Sequence, residues 1–138
     1  MGAVKWYGDE VIKEIRKASR KALQESGKLI VREAKSLCPV GIEERFVAKS
    51  GQYAGKNYSG RIPGTLKRSI RYRVTRNGKS VQVIAGGRSG EYLTAFYSAM
   101  VEWGTHRMLA RPFLRPALEK SMQQVQLIFN EWIGRSTK

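Results

Sequence analysis

The sequence predicts an α+β fold: a small antiparallel sheet containing a β-hairpin, packed against a long N-terminal helix and a C-terminal helix, with a long basic loop. Three observations predict it. Apolar residues recur at three- and four-residue steps from Val11 to Leu37, a period-two pattern flanks Asn77-Gly78, and a second helical stripe runs from Leu118 to Ile133. With 138 residues, 41% of them hydrophobic, the chain is sized for one domain spanning 1–138.

In the first helix, Val11, Ile15, Ala18, Ala22, Leu23, Leu29, Ile30, Ala34 and Leu37 form the apolar stripe, while Lys13, Arg16, Lys17, Arg20, Lys21, Lys28 and Arg32 fill the gaps as a solvated face. Asp9 is the expected N-cap, and Pro39 ends the helix because proline cannot continue the hydrogen-bond ladder. Burying seven such side chains at roughly 1.5–3 kcal/mol each outweighs helix propensity, so this face needs a partner. A short strand is expected at Val4–Tyr7.

From Gly41 to Gly64 the chain carries five glycines and three isolated aromatics, Phe46, Tyr53 and Tyr58, without periodicity. It reads as a loop, longer than the ~12–15 residues usual inside a compact domain and therefore functional or partly disordered. Beyond it, Ile70, Tyr72 and Val74 alternate with Arg71, Arg73 and Thr75, and Val81, Val83 and Ala85 follow the turn. Asn77-Gly78 is suited to the two positive-φ positions of a type I′ turn. Tyr92–Trp103 is almost uncharged and is expected to be buried. A loop with Gly104, Pro112 and Pro116 leads to the second helix, where Leu118, Met122, Val125, Phe129, Trp132 and Ile133 share a face and a proline is allowed in the first turn.

Twenty-six Lys+Arg against 11 Asp+Glu give a net charge of +15, and between Glu44 and Glu91 there are eleven basic residues and no acidic one. Such a balance favours an acidic partner without choosing among nucleic acid, protein and anionic lipid. No apolar run approaches the ~18 residues of a membrane span, and the N-terminus alternates charge too early for a signal-peptide core, predicting a chain that is neither membrane-embedded nor exported. One cysteine excludes an intrachain disulfide, and one cysteine with one histidine leaves no metal motif.

Catalysis finds little to work with. Cys38 and His106 are the one Cys/His pair, but Cys38 reads as a small buried hydrophobe and His106 as an exposed loop residue among Arg107 and Arg111. Glu43-Glu44 sit in a loop. Gly86-Gly87-Arg88-Ser89-Gly90 lacks the ending of a phosphate-binding P-loop and reads as a flexible hairpin exit. No cofactor is expected. Nucleic-acid binding through the phosphate backbone is the competing function, with Phe46, Tyr53, Tyr58 and Tyr72 interleaved among basic residues. A small ribonuclease-like toxin fits the size and charge but not the residues. Trp103, Trp132, Phe96, Tyr97, Phe113 and Phe129 are a large aromatic set for so thin a sheet, which suggests that some face a neighbouring subunit.

Val101-Glu102-Trp103-Gly104-Thr105 followed by Arg111-Pro112-Phe113-Leu114-Arg115-Pro116-Ala117-Leu118-Glu119 resembles the minor tail, or neck and tail-completion, family of tailed bacteriophages. The similarity extends to Gly8-Asp9-Glu10 opening a long helix and to Ala34 and Pro39 at its end. It departs where Pro39-Val40 and Gly64-Thr65-Leu66 are separated by an insertion of about twenty residues. The resemblance implies a non-enzymatic virion protein of the head–tail junction, assembled in the host bacterial cytoplasm. It implies a six- or twelve-fold ring of identical subunits that joins or completes the tail and lets DNA pass. The implied neighbours are connector or head-closure proteins and tail-tube or terminator proteins. For such a ring the subunit-interface candidates are Glu102, Trp103, Arg107, Arg111, Phe113 and Arg115, because aromatic and arginine side chains dominate interface energetics. Glu102 is expected to hold the loop, by pairing with one of the arginines. The candidates for facing passing DNA are Arg45, Lys49, Lys56, Arg61, Lys67 and Arg68.

Overall fold

The computed structural model describes residues 8–41, 46–47, 57–58, 64–86 and 97–136. The expected strand at Val4–Tyr7 lies outside them, as do Arg45, Lys49, Lys56, Arg61, residues 87–90 and the first half of the uncharged segment 92–103.

The architecture is α+β as predicted. Helix α1 (Gly8–Leu37) is followed by the two-residue strands β1 (Phe46–Val47) and β2 (Asn57–Tyr58), a short helix α2 (Thr65–Ser69), the hairpin strands β3 (Arg71–Val74) and β4 (Val81–Ile84), a short helix α3 (Ser98–Trp103) and helix α4 (Leu114–Ser136). β1 and β2 pair antiparallel, Phe46 opposite Tyr58. The 41–64 segment was expected to be a loop throughout, and this pairing is a correction. Two residues per strand are too few to leave a periodic pattern.

Asp9 is not the N-cap of α1, because the helix already includes Gly8; Asp9 and Glu10 lie in its first turn. Their carboxylates still complement the positive end of the helix dipole there. α1 stops two residues short of Pro39, whose ring disfavours helical geometry in the residue before it.

The hairpin has the register that Asn77-Gly78 implies, with Val74 opposite Val81 and Arg71 opposite Ile84. Its turn differs from the expected type I′. Gly78 has φ +66° but Asn77 is not in the left-handed region. The turn is closed instead by the Gly78 N–H to the Thr75 carbonyl at 2.9 Å and the Thr75 N–H to the Ser80 carbonyl at 2.9 Å. Asn77 Oδ1 accepts from Thr75 Oγ1 at 2.7 Å and from the Lys79 N–H at 3.2 Å. That side chain stabilises a wider connection built on an ordinary turn.

α1 is the element that the others share. Its most extensive contacts are with α4, and its opposite flank meets β3 and β4. The two helices run antiparallel, since Glu33 meets Lys120 at 2.9 Å and Glu25 meets Trp132 at 2.7 Å. Small residues line the buried side of α1, namely Ala18, Ala22, Ser26, Gly27 and Ala34, and Ala117 and Ser121 are buried on α4. At Gly27 a Cβ would lie 2.7 Å from Tyr72 Cδ2 and 2.9 Å from Val81 Cγ2, so the hairpin approaches the helix as closely as glycine permits.

The main core gathers where the carboxyl end of α1, α2, the base of the hairpin and the start of α4 converge: Ala34, Cys38, Leu66, Ile70, Phe113 and Ala117. Cys38 is buried there as expected, its thiol pushed up by burial against a smaller opposing effect of Lys67. Val83 of the hairpin packs here against the cluster that holds Phe113 and Ala117. An apolar groove of about 700 Å³ lies between the hairpin and α4, lined by Ser26 and Ile30 of α1, Val83 of the hairpin, Leu118 and Phe129 of α4, and the Trp103–Arg115 pair.

Candidate functional site

The two sequence elements around Trp103 and Phe113 meet at the junction of α3 and α4. The first turn of a helix has N–H groups without partners inside the helix, and a carboxylate answers them well. Here Glu102 does so from eleven to thirteen residues upstream. Its Oε2 accepts from the N–H groups of Phe113 at 2.8 Å and Leu114 at 3.0 Å, and its Oε1 from Arg115 at 3.0 Å. Pro116 has no N–H to satisfy, and Ala117 donates to the Phe113 carbonyl at 3.3 Å. One buried side chain therefore completes the start of α4.

Glu102 is 8% exposed. Burial is the largest single influence on its carboxyl and acts to raise the pKa, but the three N–H bonds and the positive charge of Arg115 together outweigh it. The carboxyl is held below its ordinary range and stays ionised at neutral pH. The expected pairing with an arginine is corrected: among the described residues Glu102 has no ion pair within 4.0 Å. Backbone N–H groups take the place that a guanidinium was expected to fill.

The connection between α3 and α4 is pinned at further points. Thr105 and Met108 exchange backbone hydrogen bonds at 2.8 and 3.2 Å, and the Arg111 N–H donates to the Val101 carbonyl at 2.8 Å. Gly104 has φ +74°, and a Cβ there would sit 2.8 Å from both Ala110 N and the Met108 carbonyl oxygen. Only glycine fits both the dihedral and the space.

This framework holds an exposed surface in place. Trp103 is 68% exposed and Arg115 stacks over its ring at 4.6 Å from the centroid, a cation–π contact that fixes both side chains. Arg107 and Arg111 are exposed on the same connection, as is His106. Four of the six interface candidates, Trp103, Arg107, Arg111 and Arg115, therefore lie on one exposed junction. Phe113 does not; it is 0% exposed and is the largest fully buried side chain of the core. Its place directly before α4 turns it inward, so it supports the surface from beneath. Sequence reasoning missed Leu109, which is 88% exposed at the tip of the connection, with Met108 beside it. A lone leucine between two short turns leaves no periodic signal. The uncharged segment ending at Trp103 was expected to be buried, yet Met100 and Trp103 face outward while Tyr97 and Val101 pack on the core.

Lys67 and Arg68 lie exposed on α2. Arg71 was expected to alternate outward, but its Nη1 donates to the Gly86 carbonyl at 2.7 Å and the Ser69 carbonyl at 3.3 Å. The Gly86 N–H donates to Ser69 Oγ at 3.0 Å, so the first residue of the glycine-rich stretch is tied to the sheet. Among the described residues no group of three His, Cys, Asp or Glu could hold a metal, and no helix is long and apolar enough to cross a membrane. No family model, curated protein or solved structure matches this chain.

Proposed function

We propose that this chain is a structural protein of the head–tail junction of a tailed phage, acting without catalysis by docking into a closed ring of identical subunits. The observation that carries this reading is the rigid apolar and cationic surface at the α3–α4 junction. Trp103 and Leu109 are left 68% and 88% exposed on a connection fixed by Glu102, Gly104 and three backbone hydrogen bonds. A tryptophan held in water gains nothing from burial in the isolated subunit. Placed against a second surface with Arg115 stacked on it, it is the kind of anchor that dominates interface energy. A heterologous contact repeated about an axis closes a ring when the rotation per subunit fits, which makes shape the working property of the molecule.

The sequence resemblance supports the same reading, since Glu102 joins its two separated elements by direct hydrogen bonds. In this reading the neighbours along the axis are connector or head-closure proteins and tail-tube or terminator proteins, and DNA passes through the ring. The test is electron microscopy and mass spectrometry of purified particles from the phage that encodes the chain. A ring of this protein at the junction is expected, with Trp103→Ala leaving heads and tails unjoined although the subunit still folds. Mature particles without the chain, or turnover of a substrate by it, overturn the reading.

A further inference from the structure

The solvent side of α1 carries a feature that the assembly reading does not use. Lys13, Lys17, Arg20, Lys21, Lys28 and Arg32 are all exposed, and at 3.6 residues per turn they fall within an arc of about 120°. Along the axis they extend about 28 Å at 1.5 Å per residue. Among the described residues no carboxylate lies within 4.0 Å of the first five, and Arg32 reaches only its chain neighbour Glu33 at 4.0 Å. Against these six cations stand Glu10 within the arc and Glu14 and Glu25 at its border, Glu25 accepting from Trp132 Nε1–H at 2.7 Å. Lys21 is held over the Trp132 ring at 5.0 Å. The opposite side of α1 is occupied by α4 and the hairpin, so this ridge is the helix's free side.

We propose that the α1 ridge is a docking surface for the phosphate backbone of duplex DNA, independent of base sequence. Charge complementarity carries the proposal. A single DNA strand presents a phosphate about every 3.4 Å of axis, so some eight phosphates lie along the span of the six cations. The one apolar side chain between the cations is Val31, and it packs against the core rather than outward, whereas a protein interface depends on exposed aromatic or apolar anchors. Single strands are held by stacking platforms, whereas the rings beside the ridge lie at its borders and are packed on protein, Trp132 under Lys21 and Tyr72 against Gly27. Duplex RNA is read partly through its 2′-hydroxyls, and Gln24 is the one uncharged hydrogen-bonding side chain interleaved with the cations on the arc. Lysine and arginine heads on flexible stems suit phosphates, which position a duplex without reading it.

The test is fluorescence anisotropy with a labelled 30-base-pair DNA duplex between 50 and 200 mM salt, on the full chain. The ridge variant combines Lys13→Gln, Lys17→Gln, Arg20→Gln and Lys28→Gln; glutamine is a comparable helix former, and circular dichroism checks the fold. A control variant removes the same charge elsewhere through Arg73→Gln, Arg76→Gln, Lys79→Gln and Lys120→Gln, all exposed and off the ridge. The ridge variant is expected to flatten the slope of log K against log salt by about 3–4 and to bind on the order of 100-fold more weakly. The control is expected to stay within about three-fold of wild type, and Lys13→Arg, Lys17→Arg and Lys28→Arg to preserve binding. Equal losses in both glutamine variants overturn the proposal, as does wild-type binding that ignores salt. Tighter binding of duplex RNA, or a ridge defect seen with polyglutamate but not with DNA, assigns the surface to another partner and equally overturns it. Ring formation by the ridge variant is read separately, so failure here and failure of the assembly reading are distinguishable.

Discussion

The two ends of the α1–α4 pair are built on different principles. At the carboxyl end of α1, the start of α4, α2, α3 and the hairpin base converge, and Phe113 and Ile70 are fully enclosed. Every N–H in the first turn of α4 has a partner, most of them through Glu102. Toward the other end the seam is made of small residues, and Val11, Ile12, Met122, Leu127 and Ile133 remain exposed. The groove between the hairpin and α4 joins the two ends, reaching from Trp103 and Arg115 to Phe129. Both ends leave apolar surface uncovered, but the first encloses a core with large side chains, while the other buries nothing larger than Leu23 among the described residues. The exposed junction of Trp103 and Leu109 stands directly on the first end, which is what an assembly surface requires: rigid support beneath and unsatisfied area above.

The largest break in this contrast is Phe113→Ala. Removing a fully enclosed phenylalanine is expected to cost about 3–5 kcal/mol, whereas Phe129→Ala, at the half-open groove, is expected to cost roughly half as much. Chemical denaturation of both variants checks the difference, and equal costs would mean the two ends are packed alike. Glu102→Ala comes next, at about 2–4 kcal/mol, because it strands a buried donor at Phe113 and two more at the helix start. Here the sign of the pH dependence is fixed. A carboxyl held below its ordinary range stabilises the fold at pH values above its unfolded pKa, and that stabilisation is lost as pH falls through the depressed folded value. The stability gap between wild type and Glu102→Gln is therefore expected to be constant near neutrality and to shrink below about pH 4. A gap that widens on acidification would contradict the charged cap.

What the sequence revealed divides along the same line. The periodicity of α1, the stop before Pro39 and the register about Asn77-Gly78 are local patterns, and each is present in the structure. The turn type was not legible, because the Asn77 side chain closes a wider loop just as well. The cap of α4 was only half legible. Glu102 stands out beside Trp103, but nothing local shows that its partners are backbone groups eleven to thirteen residues away. Phe113, expected at an interface but buried, and Leu109, exposed but not singled out, escaped for a related reason: both lie in a non-periodic connection, where residue type alone does not tell inside from outside. The groove was invisible, since an apolar stripe on α4 looks the same whether it meets a sheet or faces one across a gap.

A smaller effect tests how closely α1 and the hairpin meet. Gly27→Ala removes a poor helix former, which alone would gain up to about 1 kcal/mol. The new Cβ must displace the Tyr72 ring and the Val81 methyl from 2.7–2.9 Å, and overpacking of this kind costs about 1–3 kcal/mol. A net loss of about 1–2 kcal/mol is expected, read as a lower denaturation midpoint with an unchanged slope.

The smallest effect lies at the other end of the same helix. Val11 and Ile12 are about half exposed, on a stretch of α1 that extends past the antiparallel end of α4. Changing both to Gln is expected to shift the stability of the isolated subunit by less than about 0.5 kcal/mol, since little apolar contact is lost and glutamine favours the helix. The same double variant within the assembled ring sharpens the contrast. If this end is covered by a neighbouring copy, the loss appears there as weaker assembly, measured by the concentration at which rings dissociate. An unchanged dissociation concentration would mean that the uncovered apolar residues of α1 take no part in assembly, and would leave the Trp103 junction to supply the contact alone.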